Sequence, residues 1–489
     1  MRKELSAIST IVLVCLAVPA LYCENDNSGG GGGLGTPPGP PTNPNPPDGA
    51  TDICMNIDIS WQCSDSDPLT YDIYFGTDRD PPLKQSELTE AHYYPGLLTA
   101  YTTYFWKVVV RNKYGYTTSG PIWQFTTGDK TYFWKFYTGG YIISRPCAFD
   151  GKVYVGSSDD YIYCLDAETG ALIWRYPTET DVWSSPCVDN GRIYCGGMDH
   201  YVYCLDAETG AIIWAYKTGG WVDSSPCVAD GKVYVGSRDY YFYCLDAETG
   251  SLIWRYHTTG EVKSSPCFDS GMVFVGSDDH YLYCLNAYSG SLIWRYQTGS
   301  TIVSSPAVAE GRAVVGCCDG YIYSIDINNG ALIWKFATGA EVRSSPCIHN
   351  WTAFIGSNNK NIYAIEISTL HTWGEQTDGE VHSSPCVADE KVYVGSCDGY
   401  LYCLSIDTQH LLWKNQLGSA INSSPCVYNG KVYVGCDDHY LYCLDAADKN
   451  LNASGYDYNS SISEDNLSYD VVKRPHLNHD YSKRAPAKN

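Results

Sequence analysis

Ser144-Arg-Pro-Cys-Ala-Phe-Asp-Gly-Lys-Val-Tyr-Val-Gly-Ser-Ser-Asp-Asp-Tyr-Ile-Tyr-Cys-Leu-Asp-Ala-Glu-Thr-Gly-Ala-Leu-Ile-Trp-Arg-Tyr176 is the stretch whose reading decides the fold. Arg145 to Phe149 reads as a short strand, and Asp150-Gly151 is the dipeptide that favours a two-residue hairpin turn. Lys152 to Val155 is a second strand, Ser157 to Asp160 a turn, and Tyr161 to Leu165 a third strand. Glu168-Thr-Gly170 turns again on a glycine that tolerates positive φ, and Ala171 to Tyr176 is the fourth strand. Four antiparallel strands in such a short unit make one blade of a β-propeller.

The pattern restarts eight times, at Ser144, Ser184, Ser224, Ser264, Ser304, Ser344, Ser383 and Ser423, at intervals of 40 residues with a single interval of 39. A unit of this size cannot bury its own apolar face and must stack on its neighbours. The eighth repeat ends its third strand at Tyr442-Cys-Leu-Asp445 and runs on into Lys449-Asn-Leu-Asn452 with no tryptophan strand. The missing strand stands upstream, where Thr131-Tyr-Phe-Trp-Lys-Phe136 puts Trp134 one period before Trp174. An N-terminal strand that completes the last blade leaves no open edge. The expectation is an all-β chain in which residues 130–446 form an eight-bladed propeller closed by that strand.

Ahead of the repeat, residues 50–128 carry short alternating strands around Trp61, Tyr71-Asp-Ile-Tyr74, Thr102 to Val108 and Trp123-Gln-Phe-Thr126. This segment resembles a fibronectin type III β-sandwich. Trp61 stands for that fold's buried tryptophan, and Leu98 lies six residues before Tyr104, the spacing of its tyrosine corner. Ala100 stands where the family often has proline. Residues 24–49, rich in Gly, Pro and Asn, read as a flexible and then polyproline-like linker. Residues 1–23 read as a signal peptide: Arg2 and Lys3 precede an apolar run from Ile8 to Leu21 too short to span a bilayer. Cys23 is the position for lipid attachment, although Tyr22 is bulkier than a lipoprotein signal prefers. No other apolar run is long enough to cross a membrane. Residues 447–489 read as a disordered tail, with Asn-x-Ser sequons at Asn452, Asn459 and Asn466.

The run Cys164-Leu-Asp-Ala-Glu-Thr-Gly-Ala-Leu-Ile-Trp174 resembles the tryptophan-docking repeat of the propellers similar to pyrroloquinoline quinone (PQQ) dehydrogenases. It recurs at Trp214, Trp254, Trp294 and Trp334, and is degraded before Trp373, where Leu370 takes the glycine position, and before Trp413, where Ser405 and Gln409 replace Asp and Gly. The resemblance implies that Trp134, Trp174, Trp214, Trp254, Trp294, Trp334, Trp373 and Trp413 dock neighbouring blades. It implies blade packing for Tyr163 and its equivalents too. Dehydrogenases of the family hold PQQ and a metal over the central channel, on long insertions, beside two adjacent cysteines. Cys317-Cys318 is such a pair, but the repeat aligns it with Ser157-Ser158 in an ordinary hairpin turn, and the regular spacing leaves no insertion. The family's non-catalytic branch includes the lipoprotein scaffold of outer-membrane barrel assembly.

Cysteine follows seven Ser-x-Pro starts (Cys147, Cys187, Cys227, Cys267, Cys347, Cys386, Cys426) and fills six docking-motif positions (Cys164, Cys204, Cys244, Cys284, Cys403, Cys443). First and third strands lie two spacings of ~4.8 Å apart, beyond the reach of a disulfide. Cysteine here reads as a small buried hydrophobe, with disulfides between blades left open. Asp159-Asp160, Asp278-Asp279 and Asp437-Asp438 lack the spacing of a calcium loop and read as turns. His200, His280 and His439 share one turn position and read as surface residues. A net charge of −23 argues against nucleic acid or an anionic membrane surface as partner. The sequence thus points to an exported, monomeric, non-enzymatic protein without cofactor, secreted or tethered at the cell surface, that binds a protein or glycan. The alternative is a PQQ-dependent quinoprotein dehydrogenase.

Overall fold

The computed structural model describes residues 36–447 apart from 56, 58, 64–67, 94, 97 and 129–131. The segment read as a signal peptide, Cys23, the first part of the linker and the tail from 448 lie outside the described residues. Among the described residues every regular element is a strand.

Hairpin chemistry sets each sheet of the repeat. Asp150 and Gly151 take φ of 48° and 71°, the two left-handed residues that a type I′ turn needs, and Phe149 then faces Lys152 across the ladder. The strand Cys147–Phe149 pairs with Lys152–Ser157, that with Tyr161–Asp166, and that with Leu172–Pro177. In the last pairing Cys164 faces Trp174 but Leu165 faces Leu172, so Ile173 is left as a bulge. Eight four-stranded antiparallel sheets of this kind follow one another. The sheet of the eighth repeat joins Cys426–Tyr428, Lys431–Gly435 and Tyr440–Asp445 to the upstream strand Tyr132–Tyr137. There Trp134 faces Cys443 in the register that Trp174 has with Cys164.

Each sheet buries a row of side chains against the next. Cys147, Tyr154, Cys164 and Trp174 are aligned across the first sheet. Tyr154, Cys164 and Trp174 pack with Val188, Ile193 and Leu205 of the second. Tyr154 stands between Cys147 and Cys164 of its own sheet, and those two are free thiols. The innermost strands touch in succession, and Cys147–Phe149 of the first sheet also meets Cys426–Tyr428 of the eighth. Bonds across this seam repeat those found elsewhere. Ser423 Oγ donates to Ser144 O at 2.8 Å, and Tyr433 Oη to Ala167 O at 3.0 Å.

Residues 42–127 form two further sheets, one of three strands and one of six. Trp61, Ile73, Phe75, Trp106, Val108 and Phe125 are buried together. Leu98 belongs to this core, and the Tyr104 hydroxyl accepts the Thr99 N–H at 2.9 Å. The structure corrects the linker boundary. Thr42–Asn45, read from sequence as linker, is a strand paired with Ile59–Gln62. Thr36 O accepts Asn112 Nδ2 at 2.8 Å and Pro38 O accepts Thr118 Oγ1 at 2.6 Å. Prolines are compatible with this role, because an edge strand leaves one side of its backbone unpaired.

The first hairpin of the sixth repeat departs from the Asp-Gly pattern: Asn350 and Trp351 take φ of 44° and 63°. A non-glycine residue held left-handed costs roughly 1–2 kcal/mol, and the Trp351 side chain is exposed. Trp351→Gly is therefore expected to raise the unfolding free energy by about 1 kcal/mol, measured by urea denaturation; a loss of stability would contradict this account of the turn.

Candidate interaction face

One end of every sheet is occupied by blade docking. Six of the eight tryptophans (Trp134, Trp174, Trp214, Trp254, Trp294 and Trp334) donate their ring N–H to a carbonyl of the following sheet, at 2.7 to 3.1 Å. Ala207 O takes both Trp174 Nε1 at 3.1 Å and Tyr154 Oη at 3.2 Å. Trp413 is buried with its ring nitrogen unpartnered, while Ala446 O accepts Tyr393 Oη and Lys391 Nζ instead. Trp373 lies edge-on to Phe354 at 5.9 Å. The motif glycine lies under the indole: a Cβ on Gly210, whose φ is +69°, would come within 2.6 Å of the Trp174 ring. Leu370 and Gln409 hold the equivalent left-handed corners at φ of 61° and 58°.

The other end carries a second set of constants. The sequence reading takes Tyr163 for packing and Asp159 for a turn; the structure joins them, Tyr163 Oη donating to Asp159 Oδ2 at 2.6 Å. The same pair recurs at Tyr203 and Asp199, Tyr243 and Asp239, Tyr283 and Asp279, Tyr323 and Asp319, Tyr402 and Asp398, and Tyr442 and Asp438. In the sixth sheet Asn359 Nδ2 donates to Tyr363 Oη. His200, His280 and His439 take the left-handed corner of this turn at φ of 73° to 76°. Among the described residues no group of three or more His, Cys, Asp or Glu is arranged to hold a metal ion.

On this frame the side chains beside the anchor vary around the ring, the residue before it being Ser158, Met198, Arg238, Asp278, Cys318, Asn358, Cys397 and Asp437. The residue before it donates its N–H to the loop entering the same sheet: Ser158 to Tyr141 O, Arg238 to Trp221 O, Asp278 to Glu261 O, Cys397 to Glu380 O, Asp437 to Ala420 O, at 2.9 to 3.0 Å. Two residues past this loop position in the eight sectors stand Ile143, Trp183, Asp223, Lys263, Val303, Arg343, His382 and Asn422. In the third and fourth sectors these positions connect. The Arg238 guanidinium lies over the Trp221 ring at 4.7 Å and its Nε donates to Asp223 Oδ2 at 2.9 Å. Lys263 Nζ then bridges Glu261 at 2.9 Å and Asp278 at 2.6 Å. Trp221 itself is exposed. In the seventh and eighth sectors His382 Nε2 meets Glu380 at 2.9 Å, its Nδ1 meets Asn422 Oδ1 at 3.0 Å, and Asn422 Nδ2 donates to Asp437 at 2.7 Å. Burial pushes the Asp437 carboxyl above its ordinary value against the Asn422 bond. Cys397 lies 3.4 Å from Asn422 Oδ1, its thiol raised to about 11 by burial and by the carboxylates of Glu380 and Asp437.

These residues escaped the sequence reading, which looked for chemistry in what repeats. The usable signal was the converse: positions that vary while the frame around them does not. Cys317, the tempting half of the adjacent pair, is buried and donates its thiol to Ser300 O at 3.4 Å, whereas Cys318 is half-buried.

The family model described as "Outer membrane protein assembly factor BamB" matches residues 112–220, 198–415 and 370–452. No curated protein matches the chain. Among solved structures, the computationally designed Ika8 protein is similar with a TM-score of 0.58 and 19% identity, over 63% of this chain and 97% of that one. BamB from Moraxella catarrhalis gives 0.56 and 17%, over 64% and 99%. A europium-containing methanol dehydrogenase gives 0.54 and 16%, over 62% and 85%. At these identities the likeness is one of fold.

Two expectations test the frame. Gly210→Ala combines left-handed strain with overpacking of Trp174, whereas Gly191, at φ +72°, has open space where a Cβ would stand. The first substitution should cost about 1–3 kcal/mol more than Gly191→Ala in denaturant unfolding; equal losses would show that the indole contact is soft. Burial pushes the thiols of Cys164, Cys204, Cys244, Cys284 and Cys443 up to about 12. Below about pH 8 both folded and unfolded chains keep these protons; above the unfolded thiol value near 9 only the unfolded chain loses them. The melting temperature should therefore fall steadily above about pH 9, and replacing two of these cysteines by alanine should flatten that fall.

Proposed function

The chain belongs to the family of the outer membrane protein assembly factor BamB, and we propose on that footing that it is a non-catalytic binding protein. Its eight sheets close into one eight-bladed propeller, with Tyr132–Tyr137 as the closing strand, and the Tyr–Asp end of the ring is the binding face. Residues 42–127 form a fibronectin type III-like sandwich that spaces or supplements that face. The protein works outside the cytoplasm, secreted or held at the surface through Cys23, as a monomer, and its partner is a protein.

One observation carries this reading: a nearly constant frame presents side chains that vary around the ring, and in sectors three and four these side chains form a continuous strip, Arg238 Nε lying 3.8 Å from Glu261 Oε2. The strip joins an exposed tryptophan stacked on arginine to Asp223, Glu261, Lys263 and Asp278. Aromatic and arginine side chains of this kind carry much of the energy of protein interfaces. Asp181, Asp223, Glu261, Asp278, Glu341, Glu380 and Asp437 outweigh the cations Arg238, Lys263 and Arg343 around the ring, which favours a partner surface rich in Lys and Arg.

The second reading is a quinoprotein oxidoreductase, favoured by the fold shared with methanol dehydrogenase and by the Cys317–Cys318 pair. The residues present fit PQQ poorly. Cys317 turns its thiol onto main-chain carbonyls of Ser300 and Thr301, which engages that sulfur within the hairpin turn.

A double variant, Trp221→Ala with Glu261→Ala, is expected to keep its melting temperature and weaken capture of the native partner at least tenfold in crosslinking pull-down. Glu248→Ala, at the opposite end of the sheets, should leave capture intact. Equal capture by all three proteins would move the binding site elsewhere. Titration with PQQ and calcium is expected to leave the absorbance spectrum additive; a stoichiometric spectral change with dye-linked alcohol oxidation would establish the oxidoreductase instead.

A further inference from the structure

At the Tyr–Asp end, Cys397 meets His382 of the loop entering its own sheet and Asn422 of the loop entering the next. Its Sγ lies 3.7 Å from His382 Nδ1 and 3.4 Å from Asn422 Oδ1, and those two atoms are 3.0 Å apart. Sulfur, ring nitrogen and amide oxygen thus stand at the corners of a small triangle, each able to offer a lone pair. All three residues are half-buried, so water reaches the group.

Outer contacts fix the direction of two of these atoms. His382 Nε2 meets Glu380 Oε2 at 2.9 Å. A carboxylate placed there accepts the Nε2 proton and leaves the Nδ1 lone pair facing the triangle. Asn422 Nδ2 donates to Asp437 Oδ2 at 2.7 Å, which turns the amide oxygen rather than its nitrogen toward the sulfur. With the ring proton on Nε2, the triangle holds one proton, that of the thiol, among three acceptors. Burial, and then the carboxylates of Glu380 and Asp437, push this thiol up to about 11. Asp437 Oδ1 is itself buried without a hydrogen-bond partner. The cluster is short of positive charge.

Its spacing is that of a metal coordination shell. Tetrahedral zinc, with Zn–S of ~2.3 Å and Zn–N or Zn–O of ~2.0–2.2 Å, sets sulfur ~3.5–3.6 Å from nitrogen or oxygen, and nitrogen ~3.4 Å from oxygen. The three distances of the cluster fall within about 0.4 Å of those values. A mixed sulfur, nitrogen and oxygen set suits zinc or cobalt, whereas calcium and magnesium take oxygen ligands. We propose that Cys397 as thiolate, His382 through Nδ1 and Asn422 through Oδ1 bind one zinc-type divalent cation, with water in the fourth place. On binding, the sulfur–metal bond forms and the thiol proton passes to solvent. Only two of the three protein donors are His or Cys, in keeping with the lack of any three-membered His, Cys, Asp or Glu group among the described residues. The ion ties the loop entering the seventh sheet to the loop entering the eighth, whether or not this face also binds a protein.

Titration of the full chain with cobalt(II), followed by absorbance, tests this. The expected result is one ion per chain, with a sulfur-to-cobalt charge-transfer band and the visible bands of tetrahedral cobalt, all reversed by added zinc. Because the thiol proton competes with the ion, affinity should rise about tenfold per pH unit above neutrality. Cys397→Ser should abolish the charge-transfer band, and His382→Gln should weaken binding at least about tenfold. Cys318→Ser, at a half-buried thiol of the fifth sector, should change neither. If Cys397→Ser fails to fold, His382→Gln and the pH dependence decide. Absence of the charge-transfer band in the native protein, its survival in Cys397→Ser, or unchanged affinity in His382→Gln would overturn the proposal.

Discussion

The carbonyl just past the third strand, capped by side chains of the preceding sheet, sets the spacing between blades. At Ala167, Ala207, Ala247 and Ala287 one oxygen accepts both a Trp Nε1 and a Tyr Oη from its neighbour. The bonds are modest singly, about 1 kcal/mol each, but each indole also buries ~150–250 Å². Because a blade contacts only the sheets on either side of it, stability is summed from such interfaces rather than drawn from one common core. A glycine lies under the indoles of Trp134, Trp174, Trp214, Trp254 and Trp294 and lets the two sheets approach; Leu370 stands at that place in the sixth repeat, which also holds the 39-residue interval.

Much of this architecture was legible in the chain because it follows from local chemistry repeated many times. Asp150-Gly151 announces its turn through two positive φ angles, and the misplaced Trp134 declared its partner strand by spacing alone. The strand Thr42–Asn45 was not legible, because its prolines and asparagines look like linker until Gln62 and Ser60 are found opposite them. The Tyr–Asp anchors were half legible: both residues stood out by recurrence, but a bond between a turn and a strand four residues on depends on how the hairpin folds back. The variable face was the least accessible. A turn tolerates almost any side chain, so Arg238 or His382 carries no sign of its role until the frame brings Asp223 or Asn422 beside it.

The frame itself does not dictate what the protein does. A designed protein, an assembly factor and a methanol dehydrogenase all share it, and what separates them must lie in the groups placed upon it. In this chain those groups stand beside the anchor turns, where they break the eightfold monotony in different places and by different means. One is an outward strip of mixed charge and aromatic surface, the other a cluster of thiol, imidazole and amide donors.

The strand Tyr132–Tyr137 is translated before any of the sheets that follow it, yet its partner Tyr440–Asp445 comes only after the seven intervening sheets. Roughly three hundred residues separate Thr138 from the His439 carbonyl it bonds. The first-made piece must therefore wait, with its aromatic side chains uncovered, while every other blade assembles beside it. During that interval the growing chain has two raw sheet edges, Tyr132–Tyr137 at one end and the newest sheet at the other.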